Sequence, residues 1–266
     1  MILGVLVLAG CFEAEGKPKV TPVPKATPVQ VKPGDSPGPE RVAPTAEGTA
    51  TLTGKVHING KVRSPKEIPL DPACSALHRE PLRSEGTVVD GANDVRWAFV
   101  WIKSGLEGKI FLSPTEPVVL NQEGCRYRPH VFGLRVGQTL KVRNGDPFLH
   151  NVHFLPFENQ ERNLGQAIRG MENEVVFPHP EVMVKIKCDV HASMGAWVGV
   201  LDHPFFAVTD DAGSFTITGI PSGKYTLGVW QEEWSTKEDK PPNLEIELKA
   251  GEVKAMTIEL EKNKKE

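Results

Sequence analysis

Lys187-Cys188-Asp189-Val190-His191-Ala192-Ser193-Met194 joins two apolar, strand-like stretches, 182–187 and 196–201. Its spacing is C-x-x-H-x-x-M. A thiolate, an imidazole and a thioether within seven residues can reach one ion only from a tight loop. Soft sulfur combined with imidazole selects copper over hard cations. A trigonal set of two His and one Cys with a weak axial Met is the electron-transfer copper arrangement, so the motif asks for one more His from elsewhere in the fold.

Working outward, the neighbouring sequence reads as strands at 118–121, 127–136, 139–144, 151–155 and 175–177. Gly124, Gly137, Gly145-Asp146-Pro147 and Pro178-His179-Pro180 punctuate them as turns. The polar, glycine-broken stretch 158–173 reads as a loop, and nothing suggests a helix longer than two turns. After His203-Pro204, period-two strands follow at 205–209, 214–218, 224–230, 243–248 and 254–260. Their turns are Asp211-Ala212-Gly213 and Pro221-Ser222-Gly223, and two further strands stand early in the chain, at 51–57 and 95–103. Abundant Gly (25) and Pro (23) agree with an all-β chain of short strands.

The missing imidazole lies in Gly145-Asp146-Pro147-Phe148-Leu149-His150-Asn151-Val152-His153-Phe154. With C-x-x-H-x-x-M, this segment resembles the cupredoxins, the amicyanin and plastocyanin type above all. Tyr127-Arg128-Pro129-His130-Val131 and 136–144 match the strands of that family, and the resemblance covers residues 108–202. It implies a Greek-key β-sandwich with one type 1 copper held by His150, Cys188, His191 and Met194. It also implies that Asn151 ties the first-ligand loop to the ligand loop near the thiolate. His153 is three residues from His150, so strand alternation sends it to the opposite face.

A second resemblance begins after the copper region. VTDDAGSFTITGIPSGKYTLGVW, residues 208–230, is similar to the carboxypeptidase regulatory-like or Cna-B family, a small β-sandwich. That family opens with two strands for which Gly54-Lys55-Val56 and Trp97-Ala98-Phe99-Val100-Trp101 are the candidates, and these lie ahead of the copper region. The favoured reading is a sandwich split by insertion of the copper domain, and the other is a tandem arrangement. The expected boundaries are sandwich strands at 49–107, the cupredoxin domain at 108–202, the regulatory-like sandwich at 203–262 and a charged tail at 263–266. The whole chain resembles exported proteins labelled methylamine utilisation or plastocyanin-like. It departs from them at Trp230-Gln231-Glu232, where they tend to carry His in the middle position.

Residues 1–11 read as a targeting segment. MILGVLVLAG is too short to span a bilayer, and Leu8-Ala9-Gly10-Cys11 resembles a bacterial lipobox, whose Cys carries lipid, although no basic n-region precedes it. Residues 12–48 contain eight prolines (Pro18, Pro22, Pro24, Pro28, Pro33, Pro37, Pro39, Pro44) and read as a tether. At about 3.1 Å per residue it would reach on the order of 100 Å. The expected location is therefore exported, periplasmic or cell-surface, with a membrane anchor on Cys11. In that compartment a Cys74–Cys125 disulfide is the favoured reading, and the rivals are a second metal site with His78 and His130 and two buried thiols.

The function expected is single-electron transfer to a redox protein partner. That partner would dock near His191 among Pro147, Phe148, Ala192, Gly195 and Trp197, and the protein would act as a monomer. No enzyme is expected, since neither Walker A, G-x-S-x-G, H-E-x-x-H nor C-x-x-C-H occurs. A net charge of -3 without a basic block excludes nucleic acid as a partner class. The rivals are copper storage or delivery, which five scattered Met disfavour, and a structural lipoprotein without metal.

Overall fold

Alternation of buried and exposed residues carries the chain into strands. In Thr49–Asn59 (β1), Ala50, Leu52, Val56 and Ile58 point inward while the residues between them are exposed or half-buried. The structure is a computed structural model that describes residues 40–41, 49–234 and 243–261. Cys11, the tail at 263–266 and nearly all of the tether at 12–48 lie outside the described residues. Within the tether, Glu40–Arg41 pair in parallel with Lys109–Ile110.

The main strands after β1 are β2 (Phe99–Ser104), β3 (Val118–Gln122), β4 (Val131–Arg135), β5 (Thr139–Asn144) and β6 (His150–Leu155). Then come β7 (Arg162–Gln166), β8 (Glu172–Val176), β9 (Glu181–Lys187) and β10 (Gly195–Leu201). The last are β11 (Phe206–Val208), β12 (Ser214–Pro221), β13 (Gly223–Trp230), β14 (Leu244–Leu248) and β15 (Val253–Glu261). The chain is all-β: among the described residues, the α-helix is the single turn Pro72–Ser75 (α1). No helix there is long and apolar enough to cross a membrane.

Strands β3 to β10 build a middle sandwich. One sheet runs β8-β5-β3 and ends on the two-residue strand Tyr127–Arg128, and the other runs β7-β6-β9-β10-β4. Leu120, Leu140, Val142, Val152, Phe154, Ile186 and Val198 fill the space between them. Both ends of the chain contribute to a flanking sandwich, with sheets β12-β1-β15 and β11-β2-β13-β14 around Leu52, Val100, Ile102, Ile217, Leu227 and Ile258. The strands at 49–59 and 99–104 therefore pair with strands after residue 205, and the middle sandwich lies between them in sequence.

The segment 158–173, expected as a loop, instead contains β7 and the start of β8. In β7 only Gln166 is buried, because it is an edge strand whose ladder is supplied by β6. An edge strand with one solvated face needs no apolar alternation, so its polar composition concealed it.

Aromatic rings join the two sandwiches where the middle one offers glycine. A Cβ on Gly133 would lie 2.2 Å from the Phe206 ring, and one on Gly199 would lie 2.4 Å from the Phe99 ring. Both crossings of the chain are fastened by Arg135, which is buried in β4. Its guanidinium donates to the carbonyls of Phe111 and Leu112 on the way in and of Leu201 and Asp202 on the way out, at 2.7–3.3 Å.

His203 follows the second crossing and is buried against Phe205, whose N–H donates to its Nδ1 at 3.2 Å. Burial pushes the His203 imidazole down to about 4, against an ordinary value of 6.5, with Asp202 opposing. A folded-state value below the unfolded one means the contribution is complete above about pH 6.5 and is lost as pH falls towards 4. The loss should approach about 3 kcal/mol. Denaturant midpoints of the wild type and His203→Asn across this window check it: the variant should show a shallower decline, and parallel curves would refute the assignment.

Candidate metal centre

The site is built where β6 begins and where β9 hands over to β10. His150 opens β6 and shares its inward face with Val152 and Phe154, so it is fully buried. The segment 188–194 links β9 to β10, whose ladder closes at Lys187 opposite Gly195. Two further bonds tighten the loop, Cys188 N–H to the Met194 carbonyl at 3.3 Å and Met194 N–H to the His191 carbonyl at 3.0 Å. Cys188 and Met194 are buried in the same apolar cluster.

These elements bring three of the expected ligands to one point. His150 Nδ1 lies 3.0 Å from His191 Nδ1, and Cys188 Sγ lies 3.8 Å from His191 Nδ1. The ligand atoms of His150, Cys188 and His191 all fall within 4.8 Å of one another. Met194 is buried on the same loop.

Carboxylates decide which imidazole nitrogen faces inward. His150 Nε2 donates to Asp146 Oδ2 at 2.9 Å. Asp146 is itself held by the N–H groups of Gly124 (2.9 Å) and Cys125 (2.8 Å). His191 Nε2 faces Asp71 Oδ2 at 3.5 Å. A carboxylate on Nε2 favours the tautomer with its proton there, which leaves the Nδ1 lone pair free. Burial lowers the pKa of His150, with Asp146 opposing and His191 assisting, so its neutral, ligating form is preferred.

The donor set fits a soft cation. Two Nδ1 lone pairs 3.0 Å apart repel unless a positive charge lies between them. Both separations, 3.0 and 3.8 Å, are shorter than the sums of typical metal bonds, about 2.0 Å to imidazole nitrogen and about 2.3 Å to thiolate. One ion could therefore bridge either pair, and all three atoms lie within 4.8 Å of one another.

Asn151 anchors the ligand loop. Its Oδ1 accepts from Asp189 N–H at 2.7 Å and lies 3.2 Å from Cys188 Sγ. Its carbonyl accepts from the Tyr127 hydroxyl at 2.5 Å. His153 faces away, bonding Asp189 (2.9 Å) and Glu161 (2.6 Å). Lys187, followed by Asn163, Asn151 and His153, holds the Asp189 carboxyl far below its ordinary range.

Cys74 and Cys125 form a disulfide, which leaves Cys188 as the free cysteine among the described residues. The histidines considered with that pair are engaged elsewhere: His78 with the Gly124 carbonyl at 2.9 Å, and His130 with the Gly195 carbonyl at 3.0 Å and Glu232 at 2.7 Å. Burial works against the Glu232 carboxylate, but His130 and Trp197 hold its pKa below the usual range. A cleft of about 560 Å³ opens between this contact and the back of the ligand loop.

Sequence reasoning missed Asp146, Asp71 and Glu232. In sequence Asp146 reads as a turn residue, and its place four residues before His150 is the available signal. Asp71-Pro72 carried an N-cap and N1 signal for α1, where Asp71 Oδ1 accepts from Ala73 and Cys74 N–H. Nothing in its spacing placed it over His191. The imidazole expected at the surface has a side chain only 9% exposed, with Pro147 and Ala192 exposed nearby and Phe148, Gly195 and Trp197 half-buried.

No protein-family model and no curated protein matches the sequence. Among solved structures, the chain is similar to an amicyanin variant in its reduced Cu(I) form, at 21% identity and a TM-score of 0.29, over 33% of this chain and 84% of that one. It is also similar to a purple cupredoxin from Nitrosopumilus maritimus, at 20% identity and a TM-score of 0.28, over 31% of this chain and 98% of that one. A copper-containing nitrite reductase from Thermus scotoductus SA-01 gives 20% identity and a TM-score of 0.30, over 50% of this chain and 27% of that one.

Proposed function

We propose that this chain is an exported type 1 copper protein, anchored by lipid on Cys11, that carries single electrons between redox partners. The observation that supports it is the convergence of His150 Nδ1, His191 Nδ1 and Cys188 Sγ, with Met194 buried on the same loop. Copper bound there would supply a one-electron couple between its two oxidation states. The protein's part is to hold the donors still. Asp146 fixes His150, Asn151 fixes the turn after Cys188, and the β9–β10 ladder clamps both ends of the loop.

Closure of the site favours a carrier over an enzyme. His150 is 0% exposed, Cys188 3% and Met194 2%, so the donor atoms are shielded from solvent although Cys188 and Met194 stand at the wall of the cleft behind the loop. The same closure disfavours delivery, which needs ligands that can be handed over. Pro147, Leu149, Val190 and Ala192 are exposed apolar residues near His191 and suit brief docking of a redox protein.

The test is the visible absorption and electron paramagnetic resonance of the oxidised, copper-loaded protein. An intense thiolate-to-copper band is expected. His150→Ala should destroy or open the site, and His153→Ala should leave the spectra as in the wild type. A normal signal from the His150 variant together with a lost one from the His153 variant would reverse the ligand assignment.

A further inference from the structure

The outer edge of His191 is covered by a segment from elsewhere in the chain. Of residues 61–85, Cys74 alone is buried, so this stretch has almost no core of its own. The disulfide to Cys125 ties it to the middle sandwich. Three residues before Cys74, Asp71 spends one carboxylate oxygen on the N–H groups of Ala73 and Cys74 and presents the other to His191 Nε2. On the other side of the disulfide, Cys125 N–H donates to Asp146 Oδ2, the same oxygen that accepts from His150 Nε2. One covalent bond thus links the carboxylates that face both imidazoles. The sulfurs of the disulfide lie within 4.8 Å of the nearest ring nitrogen of His191.

We infer that Asp71 is a positioning residue for the copper centre and that the Cys74–Cys125 disulfide is the latch that keeps it there. The inference rests on the copper reading of the site. Asp71 holds His191 with Nδ1 turned to the ion, and the latch holds Asp71 and Asp146 in fixed relation. Copper retention then depends on a segment that supplies no ligand. Loss of such an outer partner ordinarily costs tenfold to a hundredfold in metal affinity. Asp71 is half-exposed and 3.5 Å from the ring, which puts it at the lower end.

The experiment uses the full chain loaded with copper and compares Asp71→Asn, Cys74→Ser/Cys125→Ser and the triple variant. Asn is as good an N-cap as Asp, so Asp71→Asn keeps α1 while removing the charge from His191. Copper loss to an excess of chelator is followed through the visible band, well below the unfolding temperature of every variant. Asp71→Asn should keep the band and lose copper about tenfold faster. The disulfide variant should be at least as fast, and the triple variant no faster than the disulfide variant, because both changes act through one device. In the diamagnetic copper(I)-loaded protein, the ¹⁵N–¹H signal of His191 Nε2 should report a hydrogen bond to a carboxylate, and this signature should weaken in Asp71→Asn. Arg83→Ala, which removes the exposed contacts of that guanidinium with Glu67 and the Pro65 carbonyl on the same segment, should leave the rate unchanged. A band in the wild type with rates for Asp71→Asn within about twofold, or additive effects in the triple variant, would overturn the inference alone. Absence of the band from the wild type would overturn the copper reading and the inference with it.

Discussion

Cys188→Ser should abolish the intense visible band of the copper-loaded protein while leaving the fold in place. Among the described residues Cys188 is the free cysteine, so no other thiolate is available to donate charge to copper. The substitution is small in volume and buried. Its hydroxyl keeps Asn151 Oδ1 as a partner, since Cys188 Sγ lies 3.2 Å from that oxygen. The structural cost should therefore stay near about 1 kcal/mol, within the ordinary range for point substitutions. The variant retains both imidazoles and can still bind copper(II) weakly, but as a site without charge-transfer colour. Absorption of the loaded variant beside thermal unfolding of the metal-free one checks both halves. A spectrum like that of the wild type would sink the assignment of the thiolate.

Removing the disulfide should have the largest effect on stability. Cys74 and Cys125 are separated by 51 residues, and closing a loop of that size stabilises by about 4 kcal/mol in the chain-entropy model. The non-covalent hold on the segment is thin. It includes His78 on the Gly124 carbonyl, Arg126 on Glu85 and Gln231 on the Gly86 carbonyl. Denaturant unfolding of Cys74→Ser/Cys125→Ser against the wild type should show a loss of several kcal/mol, and a loss below about 1 kcal/mol would mean that these contacts already close the loop.

Much of the fold was legible because strands with one buried face announce themselves by period two. β5, β6, β9, β12 and β13 stand at or within a few residues of where the alternation put them. The exception, β7, is instructive: its backbone is satisfied by β6 and its side chains by water, so no apolar signal was required of it.

The site divides in the same way. Cys188, His191 and Met194 are close because a short loop between paired strands leaves them nowhere else to be, and that constraint is local. Alternation likewise separates His150 from His153. The carboxylates behind the imidazoles obey no such local rule. Asp71 reaches His191 across 120 positions of sequence, and Glu232 reaches His130 across 102. Their contacts exist because sheets from distant parts of the chain pack together.

By itself, then, the sequence determined the all-β class, the positions of most strands and the soft donors grouped on one loop, since each follows from spacing over a few residues. Tertiary structure decided between the split and tandem arrangements and among the readings of Cys74 and Cys125, and it alone set which polar groups stand behind each donor. Those outcomes depend on satisfying edges, carbonyls and buried charges between segments far apart in sequence, and no local pattern encodes which distant partner will meet that need.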